Sequence, residues 1–395
     1  MLLDEYGVPV SGPLERWAPQ FASALASLGY GRCPIRSALF VFAFVSHWLG
    51  ARRLRPGDVT AEHVERLRSA RRSDGYARSL SKVLQFLRGA GVVPPERPIV
   101  RRTGLDRLLD RYRAYLVDER GLSGGVVRWY CILAGRFLEG RPRGAHLRRL
   151  SAREVREFLR KQVRGFSPGH ARWVASALRS LVRFLHTEGR IPASLVGAVP
   201  SISGWRGASL PRALTPGSVR RVLRGCDRRT LSGRRDFAVL LLLVRLGLRA
   251  GEFARLELDA LDWRRGEVVV HGKGRTLARL PLPQDVGAAL SAYLVRRPRV
   301  ASRALFLRSR APLQRLTQPA ITHLVAKASQ RAGLARVSPH RLRHTLATEL
   351  LRRGATLAQI AQVLRHRSPT TTAIYAKVDR VALRELAQPW PGGVA

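Results

Sequence analysis

The chain has 395 residues, enough for two or three domains with their own cores, and its 45% hydrophobic content excludes a disordered basic tail. Its 71 Lys and Arg outnumber 27 Asp and Glu, a formal charge of +44 that points to a polyanionic partner, nucleic acid first. Only five of these are Lys (82, 161, 273, 327 and 377), an arginine bias that a GC-rich coding sequence also produces. The three cysteines, Cys33, Cys131 and Cys226, have no paired spacing, so neither a disulfide framework nor a zinc site is expected, and a reducing cytoplasm fits.

Residues 1–13 show no basic segment followed by an apolar one, so no leader is expected. The next two stretches resemble one another. Leu14-Glu15-Arg16 answers Leu105-Asp106-Arg107, and Thr60-Ala61-Glu62-His63-Val64 answers Ser151-Ala152-Arg153-Glu154-Val155 at the same spacing. Val83-Leu84-Gln85-Phe86-Leu87 answers Leu181-Val182-Arg183-Phe184-Leu185, with the second copy slightly longer. Each copy reads as four or five short helices, with Thr60 and Ser151 as N-caps. This predicts one helical module over residues 1–98 and a second over 99–198. In the second, Trp173, Ala177, Leu181, Phe184 and Leu185 share one helical face. Arg172, Arg179 and Arg183 share another, which suits DNA phosphates or plain solvent. In the first, Arg78, Lys82 and Gln85 form a similar polar face.

Residues 199–213 are rich in Gly, Ser and Pro and read as a linker. Thr215-Pro216 then opens a domain over 214–395, an N-cap followed by Pro in the first turn. A helix over 217–224 is expected, then an apolar helix from Asp236. The apolar run 237–248, the longest by this reading, is broken by Arg245 and is too short to cross a bilayer, so no membrane role is expected. Residues 267–271 and 276–282 read as two strands joined by a turn at Gly272-Lys273-Gly274-Arg275, with 258–263 as a possible third. From 286 onward the pattern is helical. The fold class is therefore mainly α with a small antiparallel β-sheet in the C-terminal domain.

Four segments of that domain carry candidate chemistry: Gly247-Leu248-Arg249-Ala250-Gly251-Glu252, Gly272-Lys273-Gly274, His340-Arg341-Leu342-Arg343-His344, and Leu364-Arg365-His366 with Tyr375 beyond it. Each alone has a plain structural reading. Arg249 could complement a helix dipole, the Lys273 segment could be an ordinary hairpin turn, and Tyr375 could be a core residue. His340 and His344 lie one helical turn apart, but they lack a carboxylate between them and have arginines beside them, which argues against a metal. No P-loop is present, because the segment 266–273 has the wrong spacing and Gly274 stands where Ser or Thr should follow. No acidic cluster for Mg²⁺ is seen either, so no cofactor and no metal are expected.

Taken together and in order, these segments resemble the tyrosine recombinase, or phage integrase, family over about residues 100–385. The strongest stretches are Ser338-Pro339-His340-Arg341-Leu342-Arg343-His344-Thr345-Leu346-Ala347-Thr348 and Thr371-Thr372-Ala373-Ile374-Tyr375-Ala376. Arg365 departs from the family pattern, which usually has Gly there. The resemblance implies helical, SAM-like DNA-binding modules at 1–98 and 99–198, the second being the core-binding domain, and a catalytic domain with a C-terminal tail over 214–395. It implies a site made of Arg249, Lys273, His340, Arg343, His366 and Tyr375. In it the arginines clamp a phosphate, Tyr375 attacks phosphorus, His340 accepts or relays its proton, Lys273 protonates the leaving 5′ oxygen and His366 holds the phosphate. It implies strand exchange on double-stranded DNA through a 3′-phosphotyrosyl bond, by a homotetramer on two sites, with partner recombinases in some systems. A cytoplasmic, nucleoid-associated enzyme of integration, excision or transposition is expected, with a short helix at 378–387 docking on a neighbour. A type IB topoisomerase-like relaxing enzyme and a non-catalytic DNA-binding accessory protein are the alternatives.

Overall fold

The computed structural model describes residues 5–71, 73–95, 103–141, 146–202, 213–272, 277–366 and 368–378. Lys273 and nearly all of the expected tail helix lie outside the described residues. By packing, Arg97–Ala208 forms one compact unit, and the first module belongs with residues 209 onward in the other.

The first module is four helices, α1 (Ala18–Ser27), α2 (Arg32–Ala51), α3 (Ala61–Ser69) and α4 (Asp74–Gly89). The Thr60 hydroxyl accepts the His63 N–H at 3.4 Å while the His63 ring accepts the Thr60 N–H at 3.2 Å, a reciprocal cap that starts α3. Phe21 and Phe42 stack at 4.9 Å in a core that Leu39, Val83 and Leu87 complete. Helix α2 is long and apolar enough to cross a membrane by length and composition, a feature the apolar-run reading passed over. Its Ile35, Leu39, Phe42 and Leu49 stripe is buried in this core, which accounts for its apolarity.

The second module has the same order, α5 (Gly104–Ala114), α6 (Gly124–Glu139), α7 (Ala152–Val163) and α8 (Pro168–Thr187). Ser151 and Glu154 cap α7 reciprocally, at the position corresponding to Thr60. Ala177, Leu181, Phe184 and Leu185 are buried, but Trp173 is not part of that face. It is 40% exposed and lies flat on the half-buried Trp129 at the core's edge, ring centroids 3.8 Å apart, so a partner indole covers it there.

The C-terminal body begins with α9 (Pro216–Arg224) and the apolar helix α10 (Leu231–Leu246). Helix α10 starts earlier than Asp236 because Thr230 caps it and because Arg235, otherwise a poor buried residue, pairs with Asp236 at 2.6 Å. A one-turn helix α11 (Ala250–Phe253) precedes an antiparallel sheet of order β1 (Leu261–Asp262), β2 (Glu267–His271), β3 (Leu277–Pro281). The strand expected over 258–263 is β1, only two residues long, since 258–260 form a 3₁₀ turn. Helices α12 (Gln284–Leu294), α13 (Gln318–Arg331), α14 (Pro339–Arg352), α15 (Leu357–Leu364) and α16 (Pro369–Thr372) follow, with a 3₁₀ segment Ala373–Val378. The first module is hooked to this body: the Leu313 N–H donates to the Leu28 carbonyl at 2.8 Å. Gly29, at φ +80, leaves the space in which the Leu313 side chain sits.

Candidate active site

Two chain reversals build the site. Helix α10 stops where Gly247 turns left-handed at φ +56. A Cβ there would stand 2.9 Å from both Leu346 and Leu364, so only glycine lets α10 meet α14 and α15 this closely. The chain then presents Arg249 as the residue capping α11. The second reversal is at Arg365, which ends α15 in the left-handed region at φ 56 and delivers His366. On α14, Ser338 caps the helix and the helical period puts His340, Arg343 and His344 on one side.

Glu252 is the anionic centre of these pieces. Its carboxylate is 2% exposed and accepts the Arg249 N–H at 3.0 Å, the Arg249 Nη1 at 2.5 Å and the Arg365 Nη2 at 3.0 Å. The Arg249 Nη2 in turn donates to the Arg365 carbonyl at 3.2 Å. Burial opposes ionisation of Glu252, but the Arg249 bonds and the Arg365 charge outweigh it and hold the carboxyl below its usual range. This accounts for the arginine at position 365. A non-glycine residue in that conformation costs on the order of 1 kcal/mol, and its side chain here gains a buried carboxylate partner. Arg343, 2% exposed, donates to the Gly247 carbonyl at 2.5 Å and to the Leu364 carbonyl, so it bolts both reversals together. Burial, then Arg249 and Arg365, push its pKa down to about 10, so it stays charged at neutral pH.

Tyr375 is 1% exposed, its ring packed with Ala347, Ile360 and Leu364. Burial pushes its phenol up to about 12, against the pull of Arg343. Its hydroxyl lies 2.8 Å from His344 Nδ1. His344 stacks edge-on to His340, centroids 4.4 Å apart. Burial, then His340 and Arg343, lower the His344 pKa to about 4. Burial, then Arg343 and Arg249, bring His366 down to about 4 and lower His340 as well. All three rings are thus neutral at pH 7. His366 Nδ1 is fixed by the Thr372 hydroxyl at 2.7 Å.

The structure therefore gathers Arg249, His340, Arg343, His366 and Tyr375 into one electrostatically coupled cluster. It adds three residues that the motif reading quoted without a role. His344, rather than His340, touches the Tyr375 hydroxyl, a contact across 31 positions. Glu252 is the hub, and Arg365 is its second cation. Of the second-module stripe, Arg172 and Arg183 are exposed, whereas Arg179 donates to the Pro200 carbonyl at 2.8 Å and is committed to its own chain. Two buried or half-buried guanidiniums beside a phenol and three neutral imidazoles can bind a phosphodiester and move a proton from the phenol.

The model of the phage integrase family matches residues 212–381. A putative integrase/recombinase, y4rA, of Sinorhizobium fredii is 38% identical over 398 residues, covering 97% of this chain and 96% of its own length. The tyrosine recombinase XerD of Mycobacterium tuberculosis is 34% identical over 305 residues, 72% of this chain and 96% of that one. Among solved structures, XerH bound to palindromic difH substrate in a post-cleavage complex shares the fold with a TM-score of 0.56 at 21% identity, covering 90% of this chain and 96% of that one. A relative matched along nearly its whole length, together with a clustered arginine–histidine–tyrosine site, makes this chain a tyrosine recombinase of the phage integrase family.

Proposed function

We propose that the protein is a site-specific DNA recombinase that cuts and rejoins duplex DNA through a 3′-phosphotyrosyl bond at Tyr375. The observation that carries this is the Tyr375 hydroxyl held 2.8 Å from His344 Nδ1, in the field of the buried Arg343. Hydrolysis-resistant phosphodiesters need a large electrostatic contribution at the five-coordinate phosphorus, and fixed guanidiniums supply it without reorganising. Arg343 and Arg249 hold the non-bridging oxygens and His366 donates a further bond. The Tyr375 oxygen attacks phosphorus, its proton passes to His344, and the bond to the 5′ oxygen breaks. A base whose pKa sits near 4 is weak, but a bound phosphate anion raises it, so the proton moves when substrate is in place. Lys273, which lies between β2 and β3 in the sequence, protonates the leaving oxygen. Attack by a 5′ hydroxyl of a second duplex reverses the steps, so bond energy is kept.

The working assembly is a homotetramer on two duplex sites, with residues 99–198 and the C-terminal body gripping DNA and Arg172 and Arg183 on its phosphates. The biological task is movement of a mobile element by integration, excision or transposition. Support comes from the y4rA relative's name and from the DNA-bound XerH neighbour. The test uses nicked suicide duplexes tiled across the DNA flanking the coding sequence. Wild type should form a covalent adduct on one of them and Tyr375→Phe none. Adduct formation by Tyr375→Phe would overturn the assignment. Relaxation of supercoils without strand joining between duplexes would favour a topoisomerase instead.

A further inference from the structure

The Arg365 side chain stands where the family pattern usually has no side chain at all, and it is bonded unlike a structural arginine of the same body. Arg235, buried in α10, commits all three of its nitrogens: Nε and Nη2 donate to Asp236 and Nη1 to the Leu307 carbonyl. Arg365, whose side chain is 14% exposed, meets Glu252 through Nη2 alone at 3.0 Å. Its Nη1 donates to the Val363 carbonyl, and its buried Nε finds no acceptor among the described residues. A fork that only braced the fold would take the carboxylate with two arms. Here the second carboxylate oxygen is engaged by Arg249 Nη1, and the oxygen that Arg365 uses also accepts the Arg249 backbone N–H. Arg365 reaches Arg249 directly as well, its carbonyl accepting from Arg249 Nη2 at 3.2 Å.

One carboxylate shared in this way leaves a surplus of positive charge. Arg249, Arg343 and Arg365 act on one another electrostatically, and among the described residues Glu252 is the one carboxylate that acts on them in turn. The imidazoles of His340, His344 and His366 are neutral at pH 7, so three cations less one anion leave two positive charges. With glycine at 365 one would remain, and Glu252 would oppose Arg249 one for one. A bound phosphodiester carries one negative charge. As the Tyr375 oxygen bonds to phosphorus, its proton passed to His344, the non-bridging oxygens of the five-coordinate phosphorus carry two. The charge that Arg365 adds thus matches the charge that appears during attack, not the charge of the bound substrate. A group that meets only the later charge speeds the chemical step and leaves binding nearly alone.

We propose that Arg365 is a positioning residue for the phosphoryl transfer: by sharing Glu252 it leaves Arg249 its charge and its exposed edge for the phosphate, and it gives the site the extra positive charge that attack on phosphorus calls for. The proposal rests on the recombinase reading, and the experiment keeps the two apart. Full-length wild type, Arg365→Gly and Arg365→Lys are tested on the suicide duplex that wild type cleaves. Its scissile group is either the phosphodiester or a methylphosphonate, which has a neutral methyl in place of one charged oxygen. The equilibrium Kd and the single-turnover rate of strand release are measured separately. On the diester, Arg365→Gly should change Kd by less than about 3-fold while slowing release about 10- to 100-fold. On the methylphosphonate, where attack builds one charge fewer, the ratio of wild-type to Arg365→Gly rate should fall to about 3 or less. Arg365→Lys restores the charge without the fork and should recover at least about half of the lost rate on a logarithmic scale. Three results would each overturn the proposal: an unchanged diester rate in Arg365→Gly, a loss of affinity as large as the loss of rate, or one rate ratio on both duplexes with no recovery by lysine. If wild type releases strand from the diester alone, the split between Kd and rate and the lysine recovery decide. Wild type that cleaves no duplex would sink the recombinase reading and this proposal with it, whereas an active wild type matched by Arg365→Gly sinks the proposal alone.

Discussion

Replacing Glu252 by Gln tests whether one buried carboxylate holds the site's cations in place. Two unit charges at ~4 Å attract by ~4 kcal/mol at an effective dielectric constant of ~20. The carboxylate is 2% exposed, while the Arg365 side chain is 14% exposed and that of Arg249 is 43% exposed. Glutamine therefore leaves Arg365 charged with little water, whereas Arg249 can hydrate. By analogy with broken buried pairs, Glu252→Gln should cost ~3 kcal/mol. Arg365→Gly should cost ~1 kcal/mol or less, because the lost ion pair is offset by relief of a left-handed backbone that glycine adopts freely. In the Arg365→Gly background no cation is stranded, so Glu252→Gln should cost only ~1 kcal/mol, a coupling of ~2 kcal/mol. Urea unfolding of the four full-length proteins, with tryptophan fluorescence as the signal, measures this cycle. Additivity within ~0.5 kcal/mol would refute the shared-carboxylate reasoning.

Three further outcomes are expected. His344 and His366 have pKa values near 4 in the fold against 6.5 for an ordinary imidazole, so the unfolded chain binds more protons between those values. Their contribution is intact above pH 6.5 and lost as pH falls toward 4. Melting temperature should drop across that window, and less steeply in His344→Gln/His366→Gln. Gly247→Ala must accept both a left-handed backbone and a Cβ 2.9 Å from Leu346 and Leu364, so it should lower stability by ~2 kcal/mol or more in the same urea assay. Because His344 touches the Tyr375 hydroxyl whereas His340 stacks on His344, His344→Gln should slow adduct formation on a nicked duplex ~100-fold and His340→Gln distinctly less. Equal losses would argue against His344 as the proton acceptor.

What the sequence made legible was local. The caps at Thr60, Ser151 and Thr215 announce helices because a side-chain oxygen and its N–H target lie within one turn. The hairpin of β2 and β3 was readable for the same reason, since Val268 and Val270 alternate with less buried residues. The site motifs could be picked out because each is short, yet their convergence was not readable. Glu252 meets Arg365 across 113 positions and Tyr375 meets His344 across 31, and no periodicity records either pairing. Arg365 reads in the sequence only as a departure from the family pattern, because a sequence does not show that a buried acid waits for it. Trp173 misled in the opposite sense, as helical spacing placed it on the core face while a stacked neighbour kept it at the surface.

The phenol, its histidine and both guanidiniums belong to one polypeptide, and α14 alone carries three of the residues around the reacting centre. The Tyr375 side chain is stowed against the same wall that anchors Arg343, rather than held out on a free arm. On the proposed mechanism each chain would therefore carry its own nucleophile, proton acceptor and phosphate clamp, and need borrow none of them from a neighbour.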